Sequence, residues 1–153
     1  MLEVREVHKT FNTGTPNEVH SLQGINLRLN DGDFAIVIGT NGSGKSTLLN
    51  AVAGTFPVDR GVLVLDGREV TNWPEHRRAA LIGRVFQNPF SGTAPNMSIA
   101  ENLALAMRRG RHRTLRWLLR HSVRDEIRNR VRELGMGLED RIDNPIGSLS
   151  GGQ

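Results

Sequence analysis

The chain has 153 residues, 37% of them hydrophobic, a formal charge of +4 and no cysteine. That composition is too apolar for a disordered chain, and a single domain of this length buries about 68–70% of its unfolded surface. No apolar run reaches the ~18 residues of a membrane-spanning helix, and the opening Met1-Leu2-Glu3-Val4-Arg5 lacks the shape of a secretion signal. The lack of cysteine excludes disulfides and thiolate metal sites, which suits a cytosolic setting.

Taken in chain order, residues 2–7 and 25–29 alternate apolar and polar side chains and read as strands. Asn12-Thr13-Gly14-Thr15-Pro16-Asn17 reads as a loop between early strands, and Asn30-Asp31-Gly32-Asp33 as a turn. Phe34-Ala35-Ile36-Val37-Ile38 is a continuous apolar run that predicts a buried central strand. Residues 48–53 predict a helix, broken by Gly54 and Pro57. Residues 62–65 predict another strand, with Asp66-Gly67 as its hairpin turn. Residues 74–81 read as a short helix with Pro74 near its first turn, and 82–86 as a strand delivering Gln87 to its end.

Beyond Gln87 the pattern turns helical. Ser98-Ile99-Ala100-Glu101 has capping-box spacing and opens a helix over Asn102 to Met107. Residues 114–121 predict a second helix. Ser122-Val123-Arg124-Asp125 is a candidate cap for a third, running to about Leu134 and stopped by Gly135 and Gly137. The change of pattern near 91–98 predicts an α/β core over 1–90 and a helical part over 91–153.

Between the predicted central strand and the first helix stands Gly39-Thr40-Asn41-Gly42-Ser43-Gly44-Lys45-Ser46-Thr47, which fills G-x-x-x-x-G-K-[ST]. Glycines let backbone N–H groups close around phosphate oxygens, and the helix start adds its positive end. Lys45 places a cation on the outer phosphates, and Ser46 offers a hydroxyl to Mg²⁺. The bland alternative is a glycine-rich turn that binds nothing. The filled positions and both flanks favour the phosphate loop.

Leu149-Ser150-Gly151-Gly152-Gln153 would by itself read as a linker. Downstream of a phosphate loop, with Gln87 between them in Val85-Phe86-Gln87-Asn88-Pro89, it gives the chain a specific likeness. The sequence resembles the ATP-binding cassette (ABC) ATPases, in which these are the Walker A loop, the Q-loop and the signature. The resemblance implies an α/β P-loop NTPase core with an N-terminal antiparallel β subdomain and a helical subdomain. The family continues to a strand ending in Asp-Glu, the Walker B motif, and then to a switch histidine. No apolar run here ends in Asp-Glu, so the resemblance implies that the C-terminal part is missing and that this stretch alone is inactive.

The resemblance also assigns roles. ATP and Mg²⁺ are the implied cofactors, with Gly39, Asn41, Gly42, Ser43, Gly44, Lys45, Ser46 and Thr47 as the nucleotide cradle. Lys45 and Gln87 serve catalysis, and Ser46 and Gln87 serve the metal. Ser150, Gly151, Gly152 and Gln153 close on the ATP of a second subunit in a head-to-tail homodimer. Phe11 matches the position of an aromatic that stacks on adenine, a contact of roughly 1–3 kcal/mol that needs only a π-face. The bland readings are a core phenylalanine for Phe11 and a polar strand-end residue for Gln87. A transmembrane permease is the implied partner, at the cytoplasmic face of the plasma membrane. The stretches Thr55-Phe56-Pro57-Val58-Asp59-Arg60-Gly61, Gly83-Arg84-Val85-Phe86-Gln87 and Gly92-Thr93-Ala94-Pro95-Asn96-Met97 look like a group of bacterial importers. Those are often paired with periplasmic binding proteins and sometimes suggested to carry amino acids.

Asp66 reads as a turn residue rather than a magnesium ligand. The five histidines show no metal spacing and read as surface residues. Trp73 and Trp117 read as core residues, with a partner contact as the alternative. Ten arginines fall between 108 and 132, while the only lysines are Lys9 and Lys45. That segment suits nucleic acid, anionic lipid, an acidic protein or a solvated helix face. It leaves open a soluble ABC ATPase acting on nucleic acid or ribosomes. The expectation here is docking to the membrane side, with no specific nucleic-acid binding.

Overall fold

The computed structural model describes residues 1–110 and 119–149. The chain divides after Ile82 into two compact units.

The first unit is built on a four-stranded antiparallel sheet of order β2-β1-β3-β4. Its strands are β1 (Leu2–Phe11), β2 (Val19–Leu29), β3 (Arg60–Leu65) and β4 (Arg68–Glu69). Both long strands run further than their alternating stretches predict. The reason is a bulge. Glu6 takes φ 46°, and the register shifts between Val4 and Val7 against β2 and between Arg5 and His8 against β3. Strict alternation would turn Val7 away from the face that buries Val4. The extra residue returns it, and both are buried. Gly61 permits the crossing: a Cβ there would lie 2.4 Å from the Glu6 carbonyl oxygen.

Asp66 and Gly67 both have positive φ, at 47° and 73°, as a two-residue hairpin of matching twist requires. Helix α1 (Lys45–Ala53) lays Ala51 against Val4, Val7, Leu22, Leu63, Leu65 and Val70 to complete the core. It ends at Gly54, φ 84°, whose N–H bonds the Asn50 and Ala51 carbonyls. A short helix α2 (Glu75–Arg78) follows, with Pro74 as its N-cap.

Two predicted strands do not form. Residues 34–38 pair with nothing among the described residues, and Phe34, Ile36 and Ile38 stand 88%, 71% and 88% exposed. Residues 82–86 likewise carry no ladder, and Val85 is 98% exposed. An apolar run becomes a strand only where a neighbour takes its N–H and C=O groups, and no strand of the sheet β1 to β4 pairs with either segment.

The second unit is helical, from Gly83 onward. Helix α3 (Ile99–Met107) opens on the expected capping box: Ser98 accepts from the Glu101 N–H, and the Glu101 carboxylate from the Ser98 N–H. Helix α4 (His121–Arg132) brings Ile127 and Val131 into one core with Ala104 of α3, and Leu138 beyond the helix joins it. It starts earlier than the sequence suggests. Arg120 occupies the N-cap without a side-chain bond, and Asp125 lies within the helix. The expected helix over 114–121 lies mostly outside the described residues.

Four main-chain bonds lace residues 95–100 to residues 142–147. The N–H groups of Ile99, Ala100, Ile146 and Gly147 donate to the carbonyls of Asn144, Ile142, Met97 and Pro95 at 3.1, 2.8, 3.0 and 3.0 Å. The Asn102 amide holds the first of these segments in shape, donating to the carbonyls of Ala94, Met97 and Ser98 and accepting from the Ala94 N–H.

Candidate functional site

The predicted phosphate loop enters α1 as the motif requires. Gly44 is the N-cap in the left-handed region, φ 87°, and a Cβ on it would stand 2.5 Å from the Ser21 carbonyl oxygen. Conformation and space therefore both demand glycine. Gly42 also needs positive φ, and a Cβ on Gly39 would meet Ser43 Oγ at 2.6 Å. Thr47 Oγ1 lies 3.2 Å from Ser21 Oγ, tying the first turn of α1 to β2.

The first turn of α1 carries no side-chain cap and no acid. Its N–H groups thus keep their unbalanced positive end. Lys45 folds back across the loop, and Nζ donates to the Gly39 and Thr40 carbonyls at 2.6 Å each, with Ser43 Oγ at 3.5 Å. The ammonium and the glycine-rich loop thus lie beside the helix start, where the Ser46 hydroxyl is exposed. This donor set fits a polyphosphate. Among the described residues no three or more His, Cys, Asp or Glu gather.

Phe11 is the last residue of β1, not a residue beyond it, because the bulged strand runs longer than predicted. It is half-buried and outside the packed core. Its ring meets Phe56 edge-on, with centroids 5.2 Å apart and planes at 84°. Phe11 pairs with Val19 and Thr10 with His20. The strand end that carries Phe11 is thus the end whose Ser21 abuts Gly44 and Thr47. Sequence places Phe11 and the loop 28 positions apart; the β1–β2 ladder puts them at one end of the sheet.

Gln87 lies exposed at a bend in the second unit, not at the end of a strand. Beside it Arg84 stacks over Phe86 at 4.5 Å. Asn88 accepts from the Phe90 N–H at 3.0 Å and caps a 3-10 turn, Pro89–Gly92. The signature residues Ser150 to Gln153 lie outside the described residues, as does Trp117. Trp73 packs against the first core with Arg77 stacked over it at 4.6 Å. His20, His76 and His121 are exposed, while His8 is half-buried on β1.

Much of the basic charge of α4 is paired. Arg124 bonds Asp143, Arg128 faces Asp125 at 3.6 Å and Arg130 faces Glu126 at 2.8 Å. Arg108, Arg109 and Arg120 face no acid among the described residues.

Two residues of the first unit escape a sequence reading. Arg78 is 1% exposed and donates to four carbonyls: Ala51 and Val52 at the end of α1, and Thr71 and Trp73. Burial pushes its pKa below the ordinary guanidinium value. Asp59 accepts from Lys9 Nζ at 2.8 Å and from the Thr10 N–H at 2.6 Å, and both hold its carboxyl below the usual range. The spacing of basic residues gives no sign of either arrangement.

The sequence model described as "ABC transporter" matches residues 22–153. The chain is 36% identical over 155 residues to the tyrosine transport ATP-binding protein of Clostridioides difficile, covering 100% of this chain and 61% of that protein. It is 36% identical over 160 residues to the lipoprotein-releasing system ATP-binding protein LolD 1 of Caulobacter vibrioides, covering 100% and 63%. A bacterial ABC transporter cassette solved as a dimer superposes with a TM-score of 0.74 at 26% identity, covering 100% of this chain and 65% of that one. The chain therefore spans about three fifths of the length of these relatives. Fold, phosphate loop and matched relatives agree: the chain belongs to the ABC transporter family of ATP-binding proteins.

Proposed function

We propose that this chain is the nucleotide-binding part of an ABC transporter ATPase subunit, taking Mg²⁺-ATP at Gly39, Asn41, Gly42, Ser43, Gly44, Lys45, Ser46 and Thr47. The observation that carries this reading is the arrangement around Lys45. Its ammonium is held by two carbonyls of its own loop, beside the uncapped start of α1. ATP entry exchanges those carbonyls for phosphate oxygens, which bear full charge and make stronger bonds. The Gly42 to Thr47 backbone lines the phosphates, and Ser46 offers its hydroxyl to the metal. When bound, Mg²⁺ neutralises charge on the phosphates during transfer to water.

Phe11 stacks on the base. Gln87 orients the metal or the attacking water, its amide supplying both a donor and an acceptor. Ser150, Gly151, Gly152 and Gln153 complete the site of a second copy in a head-to-tail pair; the dimeric solved cassette supports that pairing. Turnover belongs to the whole protein. Residues 1–153 hold no apolar run ending in Asp-Glu, so none of the residues named here is given the role of the acid that orients water.

Hydrolysis in the paired subunits drives a transmembrane permease from the cytoplasmic face. No helix among the described residues is long and apolar enough to cross a membrane. The relatives are named for tyrosine transport and for lipoprotein release, which favours a transport role and divides on direction. The importer-like stretches favour uptake, with a periplasmic binding protein delivering cargo. The alternative of a soluble ATPase on nucleic acid or ribosomes draws no support from these names. Titration of ATP into the Lys45→Ala variant tests the site. Affinity should fall by roughly 1.5–3 kcal/mol, the worth of a charged hydrogen bond. Equal affinities would remove Lys45 from the phosphates.

A further inference from the structure

We propose that Lys9 and Asp59 are positioning residues that fix the Phe11 ring for base recognition. The inference rests on the reading of Phe11 as the base platform. Lys9 and Phe11 stand two residues apart on β1, and Phe56 and Asp59 lie on the connection from α1 to β3. Lys9 Nζ sits 5.5 Å from the Phe11 centroid and 5.6 Å from that of Phe56, while the two rings meet edge-on.

The Lys9 side chain is only 12% exposed. Its charge therefore interacts with both rings in a poorly hydrated setting, where a cation over a π-face is worth most. Asp59 holds this ammonium in place with one carboxylate oxygen. The other accepts the Thr10 N–H, and the Asp59 N–H donates to the His8 carbonyl at 2.9 Å. The connection is thus pinned to the end of β1 on both sides of Lys9. A ring held by an edge contact alone could swing about its χ angles. With the cation and its counter-ion in place, the ring is set before a base arrives, and ordering it costs nothing on binding.

The test compares ATP with inorganic tripolyphosphate, which has no base, in the whole protein. Lys9→Met keeps the stem and removes the charge. It should weaken ATP about 3- to 10-fold, a preorganisation effect, and leave tripolyphosphate affinity unchanged. Lys9→Arg should restore ATP affinity, and Asp59→Asn should give an intermediate loss confined to ATP. Equal weakening of both ligands by Lys9→Met would overturn the proposal, because the lysine would then serve the fold or the phosphates. Phe11→Ala is measured beside them. If Phe11→Ala weakens ATP alone while Lys9→Met matches the parent, the clamp fails and the platform stands. If Phe11→Ala has no effect, the platform itself fails.

Discussion

Replacing Arg78 by methionine should be among the most damaging single changes in the first unit. The guanidinium makes four hydrogen bonds to carbonyls at 2.7 to 3.0 Å. With a charged donor each is worth about 1.5–3 kcal/mol, so the gross loss is roughly 6–12 kcal/mol. Against it stands the desolvation of the buried cation, of several kcal/mol, which methionine avoids. The difference predicts a net loss of about 3–5 kcal/mol, because carbonyls at the end of α1 lose their partner. For a unit of this size that lowers the melting temperature by roughly 12 °C or more. Trp73 reports the event, since its own carbonyl accepts from Arg78 Nε. In a Trp117→Phe background it is the sole tryptophan, and urea titration followed by its fluorescence gives the free energy. Arg78→Lys should recover part of the loss, because an ammonium carries the charge without the planar fork. A methionine variant within about 0.5 kcal/mol of its parent would refute the reasoning and make Arg78 a spectator.

Other expectations follow from the same contacts. Phe11→Ala should weaken ATP and GTP alike and Phe11→Trp should be tolerated, since stacking reads a π-face; a loss confined to one nucleotide in a binding titration would contradict this. The Asp59 carboxyl is depressed in the folded state, first by Lys9 and then by the Thr10 amide, so its contribution is present above the unfolded pKa and is lost as pH falls through the folded one. Denaturation midpoints should therefore decline more steeply from about pH 5 downward in the parent than in Asp59→Asn; identical slopes would sever that link. Changing Arg113, Arg116, Arg120 and Arg124 together to glutamine in the whole protein should weaken assembly with the membrane partner or binding to anionic vesicles at low salt, at about 1 kcal/mol per charge near the surface. Unchanged assembly and vesicle binding would leave the segment a solvated surface.

The parts legible in the sequence are those decided locally. The Asp66-Gly67 turn, the Ser98 capping box and the start of α1 after Gly44 depend on the φ angles and side chains of a few neighbours, and they stand where the spacing puts them. Residues 34–38 and 82–86 were not legible in the same way, because strand formation depends on a partner that no local pattern contains. The bulge at Glu6 was hidden for a related reason. It is accommodated by Gly61 on another strand, far from it in sequence, which the residues around Glu6 cannot announce. Arg78 looks like one more surface charge in a short basic helix. Only the folded chain brings four carbonyls around it.

The lacing between residues 95–100 and 142–147 has a consequence for how movement travels within the second unit. One laced segment follows closely on Gln87, and the other leads directly to the residues before Ser150. Donors and acceptors alike belong to the main chain, so a push on either segment is handed to the other whatever side chains they carry. Alanine scanning would pass over such a linkage almost blind. Gly147 is the exception, because a Cβ there would crowd the Pro95 carbonyl oxygen at 3.0 Å. Replacing single amides by esters, which deletes one donor and spares every side chain, is the perturbation that would expose this transmission.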